Sequence, residues 1–205
     1  MPFIGNAPAR VPLTSADITD GIITSAKIVD GTIVNADINA SAAIDASKLS
    51  GVGGLSEVDQ WRLTTNFSGT QTVITSNLER VDNASFSVLG TGMTESSGIF
   101  TFPSTGKYLV EFVSSARFNG YNRYQYGSIQ VTTNNSTYSE VSIGYNTVPS
   151  TGANNYASTY ASYFFNVTST TNCKVKFYTE SDQTMTWMGD TAVNLTYMTF
   201  SKLGN

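Results

Sequence analysis

Histidine is absent from all 205 residues, and that absence decides most of the chemistry open to the chain. It removes the usual general base and the commonest metal ligand together. Ser-His-Asp and Cys-His nucleophilic arrangements go with it. What remains for catalysis is a pair of carboxylates, as in a glycosidase. Glu180 with Asp182, and Asp17 with Asp20, are the pairs close in sequence. Ordinary solvated surface or turn chemistry is the simpler account of both. No glycine-rich phosphate loop or acidic calcium loop of familiar spacing occurs. The single cysteine, Cys173, can form no internal disulfide. It shares its parity with Val175 and Phe177, which predicts a buried structural thiol rather than a reactive one. The expectation is a protein that is not an enzyme and holds no cofactor or metal.

Binding chemistry is better represented. Tyr121, Tyr124 and Tyr126 stand among Asn119, Gly120 and Asn122, and Tyr156 follows Asn154 and Asn155. A tyrosine ring can stack on a sugar face while a neighbouring amide bonds its hydroxyls, so these four tyrosines are the candidate receptor contacts. The competing account is cross-strand packing in a tyrosine-rich sheet. Other partners are disfavoured. Fifteen acidic against 11 basic residues leave a net charge of -4 with no basic run to neutralise phosphates, which argues against nucleic acid. No apolar segment approaches the roughly 20 residues that span a bilayer. The opening MPFIGNAPARVP lacks the apolar stretch of about 7–15 residues that marks a secretory signal.

The elements that must position these residues fall into two kinds. Between residues 13 and 49 an aliphatic recurs almost every fifth position: Leu13, Ile18, Ile23, Ile28, Ile33, Ile38, then Ile44 and Leu49. Written in tens, the segment reads SADITDGIIT, SAKIVDGTIV, NADINASAAI. A period of five is neither that of a helix nor that of a strand. Asp20-Gly21 and Asp30-Gly31 recur at one phase and suit tight turns; Ser15, Ser25 and Asn35 recur three residues before an isoleucine and can cap a local turn. Eight aliphatics among polar and small residues enclose no core within one chain. A single-chain solenoid would have too few coils to be stable alone. Several copies wound round a common axis would bury these side chains, so all eight are expected at an oligomer axis.

Only Phe3 of the 24 aromatic residues precedes Trp61. Beyond it the pattern is that of strands, at 71–75, 98–102, 106–115, 123–133, 138–146, 160–167, 173–179 and 193–203. They are separated by Gly, Asn, Ser and Thr clusters, and no segment sustains a helical period. This predicts an all-β sandwich or barrel. In the last run Leu195 and Tyr197 share one face and Met198 and Phe200 the other. Both faces are apolar, which suggests one packed on the core and one on a neighbouring subunit. Met198 and Phe200 are the expected interface residues. The seam Gly51-Val52-Gly53-Gly54 joins the two kinds of segment.

Two resemblances follow from these residues. The ladder TDGIITSAKIVDGTIVNADI resembles the decad repeats of fibre and appendage proteins of tailed bacteriophages, which are trimeric as a class. The run SGIFTFPSTGKYLVEF, with Phe100, Pro103, Gly106 and Tyr108 in register and VNLTYMTFSKLG at the end, is similar to the trimeric jelly roll of tumour necrosis factor and the complement globular heads. The resemblance implies a homotrimer built from a virion-anchoring peptide (1–12, with Phe3, Ile4 and Arg10 as contacts), an intertwined stalk (13–54) and a jelly roll (55–205). It implies a structural virion protein, a head fibre or short tail fibre, made in the host cytoplasm and placed on the virion surface. Its partners would be itself, capsid or tail proteins, and a host-surface saccharide. The alternative within the same resemblance is a capsid decoration protein that stabilises the shell.

Overall fold

The computed structural model describes residues 14–39, 41, 42, 44, 54–149 and 153–204. The chain divides into two compact units, Met1–Val52 and Gly53–Asn205. The described part of the first unit is built by one local rule applied every ten residues. Single 3-10 turns occupy Ser15–Asp17, Ser25–Lys27 and Asn35–Asp37. Each is closed at the same phase, by Asp17 N–H to Thr14 O, Lys27 N–H to Thr24 O and Asp37 N–H to Val34 O. A second turn follows, closed by Ile22 N–H to Thr19 O and Thr32 N–H to Val29 O. It runs through Gly21 and Gly31, whose φ of 77° and 78° lie in the left-handed region open to glycine. The carboxylates of Asp17 and Asp37 accept from the backbone N–H groups of Thr14 and Val34, at 2.8 and 2.9 Å. Ile18, Ile23, Ile28, Ile33 and Ile38 are each 41–56 % exposed, and Ile44 is exposed as well. The chain does not fold these side chains into an interior of its own. Leu13, Leu49, Phe3, Ile4 and Arg10 lie outside the described residues.

The second unit is a jelly roll of two packed sheets. Its described strands are β1 (Val58–Leu63), β2 (Phe67–Val73), β3 (Leu78–Arg80), β4 (Thr94–Ser96), β5 (Ile99–Thr101), β6 (Gly106–Phe118), β7 (Asn122–Thr132), β8 (Ser139–Val148), β9 (Asn155–Val167), β10 (Lys174–Trp187) and β11 (Tyr197–Gly204). One sheet runs β3-β1-β11-β6-β9. In the other, β8 pairs β7, β7 pairs β10, and β10 meets β5 and then β2 along its far edge. All described pairings are antiparallel. The sheets are joined where Thr186 and Trp187 of β10 cross to Arg117 and Ala116 of β6. On the opposite side the edge strands β8 and β9 close on each other. Asn146 donates its side-chain amide to Ser158 O at 2.8 Å, and a Cβ at Gly144 would overlap the Tyr160 backbone.

Alternation dictates the core. β6 buries Tyr108, Val110 and Phe112, and β10 buries Val175 and Phe177, so their rings meet between the sheets. Phe100 sits at the centre, 5.2 Å from Phe200 and 5.5 Å from both Phe177 and Trp61. Cys173 is buried in the same cluster, as its parity predicted. The expectation for the last strand is corrected here. Met198 and Phe200 are fully buried inside the chain's own core and cannot form a subunit interface. β11 lies between β1 and β6, and its core-facing parity is 198 and 200. Both parities are apolar at this end, so alternation alone could not choose between them. The outward parity carries Tyr197, Thr199 and Ser201, which are half-buried, and the exposed Leu203.

Candidate functional site

The outer face of the β8-β7-β10-β2 sheet carries a tyrosine cluster gathered on one carboxylate. The register puts Gln71, Glu180, Tyr126 and Tyr145 in a single cross-strand row. Tyr124 and Tyr178 flank that row because residues two apart on a strand share a face. Three phenols donate to Glu180: Tyr124 at 3.1 Å to Oε1, Tyr126 at 2.7 Å and Tyr178 at 2.9 Å to Oε2. Tyr126 is the hub of the rings, 6.4 Å from Tyr124, 5.1 Å from Tyr145 and 6.0 Å from Tyr178. Tyr145 is the most open of them, at 65 % exposure. The hydrogen bond from Tyr126, followed by those from Tyr178 and Tyr124, holds the Glu180 carboxyl below the usual glutamate range. Burial, with the bond to Glu180, pushes Tyr178 up to about 12 and Tyr126 higher still. Glu180 is therefore a fixed anion and its three donors stay neutral. At the flank, Arg123 lies 5.7 Å over the Tyr124 ring and bonds Asp182 at 3.2 Å.

The outward face of the other sheet is apolar in a different way. β9 exposes Tyr156, Tyr160 and Phe164, the last at 70 %. In register with them stand Leu109 and Val113 of β6, and Tyr197 and Ser201 of β11. Tyr160 donates to Glu111 at 2.7 Å. A depression of about 490 Å³, lined by Phe164, Phe165, Leu203 and Lys107, opens at the lower end of this face.

The four tyrosines singled out from sequence are thus separated. Tyr124 and Tyr126 share the Glu180 cluster. Tyr121 is exposed in the β6–β7 turn, and Tyr156 belongs to the opposite sheet. Tyr145, Tyr178 and Glu180 were not recognised as partners of that cluster. Their signal was present in the alternation of CKVKFYTE, where residues 176, 178 and 180 must share a face, but the strand pairing that brings them to Tyr126 is not local. The carboxylate pairs do not act as pairs. Glu180 faces the tyrosines while Asp182 bonds Arg123, and Asp17 caps its own turn. Among the described residues, no group of three or more His, Cys, Asp or Glu side chains is placed to hold a metal ion. No helix among them is long and apolar enough to cross a membrane.

Two sheets in this strand order, with Phe100 on Phe200 and Phe102 on both Phe200 and Tyr108 between them, form a jelly roll. Solved structures agree. Murine APRIL is 16 % identical, with a TM-score of 0.51, over 72 % of this chain and 98 % of that one. Eiger TNF from S. frugiperda is 11 % identical, with a TM-score of 0.55, over 72 % of this chain and 92 % of that one. At these identities the likeness establishes the fold. No family model matches the sequence, nor does any curated protein.

Proposed function

We propose that this chain is a structural virion protein: a trimeric fibre of a tailed bacteriophage, of the head-fibre or short tail-fibre kind, with the jelly roll as its presenting head. The observation that carries this reading is the stalk. Five isoleucines recur every fifth residue on a backbone that repeats its hydrogen bonds every ten, and every one of them is exposed in the single chain. Exposed aliphatics in this number on a segment with no core of its own fit burial against other copies of the same segment. The jelly roll supports the same assembly through the face of Tyr156, Tyr160, Phe164 and Leu203, large side chains that a monomer leaves in water. Residues 1–12 would anchor the fibre on capsid or tail proteins. The head would serve to present a surface to a host ligand.

Light scattering on the purified chain tests the assembly: the expected mass is three times the 22.0 kDa chain. A folded monomer at micromolar concentration would refute it. Labelling the protein on intact virions tests the role. Label standing off the head or tail supports a fibre, whereas label spread flat over the shell at high copy number would shift the reading to capsid decoration.

A further inference from the structure

The tyrosine cluster on Glu180 has a polarity that neither the fold nor a stalk requires. Tyr124 and Tyr126 each give their one proton to the carboxylate, and Tyr178 shares its own between Glu180 at 2.9 Å and Gln71 Oε1 at 3.3 Å, so the three phenols have only oxygen lone pairs left to offer. Glu180, ionised, is also acceptor-only. The centre of the site is therefore a fixed negative charge surrounded by acceptor oxygens and electron-rich ring faces. Apart from the Gln71 amide at the edge of the row, such a surface offers a neutral sugar acceptors rather than donors. It is well matched to a positive group, which has protons or a diffuse charge to share and is drawn to ring faces as well as to the carboxylate.

The chain already uses this chemistry on the same sheet. Arg123 lies over Tyr124 at 5.7 Å, and the Lys176 ammonium sits 4.2 Å over the Tyr138 ring. Among the described residues, no guanidinium or ammonium occupies the faces of Tyr126, Tyr145 or Tyr178. Tyr126 and Tyr178 bond Glu180 directly, and Tyr145, packed 5.1 Å from Tyr126, leaves the row open to solvent. Glu140, which accepts from Ser128 at 2.6 Å, adds negative charge beside Tyr126 and Tyr178.

We infer that the Tyr126–Tyr145–Tyr178 face over Glu180 is a binding site for an organic cation, an alkylammonium or guanidinium group carried by the surface on which the jelly roll lands. The inference rests on the presenting role proposed above only for where the cation comes from; the site itself exists in a lone jelly roll. Calorimetric or NMR titration of the full-length protein tests it with three probes at constant ionic strength. Choline stands for a quaternary headgroup, Nα-acetyl-lysine amide for a protein side chain, and methyl glucoside for a neutral sugar. The expected result is saturable, weak binding of one or both cations with shifts confined to the cluster tyrosines, and none of the glucoside. Whichever cation binds more tightly identifies the source. Glu180→Gln should weaken binding by about tenfold or more. Tyr145→Ala, at an exposed ring whose loss leaves the core intact, should weaken it several-fold at an unchanged circular dichroism spectrum. Equal binding of glucoside and cations, cation binding that survives Tyr145→Ala unaltered, or no saturable binding of either cation would each overturn the inference. The presenting role fails separately, if labelled protein is found flat on the shell while the titrations still succeed.

Discussion

The two units of this chain order themselves by opposite means. In the stalk every described backbone hydrogen bond joins residues no more than three apart, and every described aliphatic is exposed. In the jelly roll the bonds cross the whole unit, as from Leu63 N–H to Thr196 O, and the large side chains are inside. One region has turn chemistry without a core, and the other has a core that fixes its turns. Short local bonds close easily but contribute little each, since water competes for them. A segment built only of such bonds has no core of its own to stabilise it, whereas the jelly roll has one.

The largest test of this contrast is Ile28→Asp. At a shared axis it would put an unpaired charge into an apolar seam three times per assembly, each costing several kcal/mol. The expected outcome is loss of the trimer by light scattering while the jelly roll keeps its β circular dichroism and a cooperative unfolding transition. Thr19→Asp, on the same segment but off the aliphatic ladder, should leave the trimer intact. An unaffected trimer in Ile28→Asp would remove the axis from the account.

Phe100→Ala probes the other side. Its ring is fully buried among Trp61, Phe177 and Phe200, so its loss should cost the jelly roll about 3–5 kcal/mol in equilibrium denaturation. Melting of the repeat segment should depend more steeply on protein concentration than that transition, because the segment has no core of its own and rests on association.

The glycines sharpen the comparison further. Gly144 is needed for space: an alanine there would press on the Tyr160 backbone across the closed β8–β9 edge. Gly144→Ala should destabilise by about 1–3 kcal/mol. Gly69→Ala, in a strand where a Cβ would touch nothing, should be near neutral. In the stalk the requirement is backbone geometry instead. Nothing lies within 4 Å of a Cβ at Gly21 or Gly31, yet both have positive φ. Each Gly→Ala change there should cost about 1 kcal/mol of strain, read as a lower melting temperature of the trimer.

Legibility in the sequence followed the same division. Strands with strict alternation, such as β6 and β10, could be read because their inward residues are all apolar or small. β1 could not, because VDQWRL buries two charges. Asp59 accepts from Arg80, from the Trp61 indole and from Met93 N–H, and Arg62 is covered by Glu79, Asp82 and Asn83. A buried charge with distant partners looks exposed when only neighbours in the chain are visible. β3 and β4, three residues each, are too short to show a period. The ladder was plain, since its repeat is local. The Glu180 cluster was half visible: Tyr124 and Tyr126 come from one strand, but the carboxylate that gathers them is more than fifty residues away.

The smallest effect expected is the pH dependence of that cluster, and it separates the units once more. Glu180 has a folded pKa below its ordinary 4.5, so its contribution is present above that pH and fades as pH falls through the folded value. Tyr178 is raised from 10.0 to about 12, so its contribution is complete below pH 10 and is lost as pH rises toward 12. One cluster thus gives the jelly roll both an acid and an alkaline limb, each shallow because the groups are partly exposed and screened. In the stalk, Asp17 is lowered by the Thr14 N–H, which predicts an acid limb from that residue. Tyrosinate absorbance followed with rising pH should show Tyr124, Tyr126 and Tyr178 ionising above the ordinary tyrosine value of 10.0. Glu180→Gln should lower all three, since it removes the charge and one of the two acceptor oxygens while leaving the rings and their burial in place. If the wild-type tyrosines titrate together near 10, the carboxylate does not hold the phenols, and the outer face of the jelly roll is ordinary cross-strand packing.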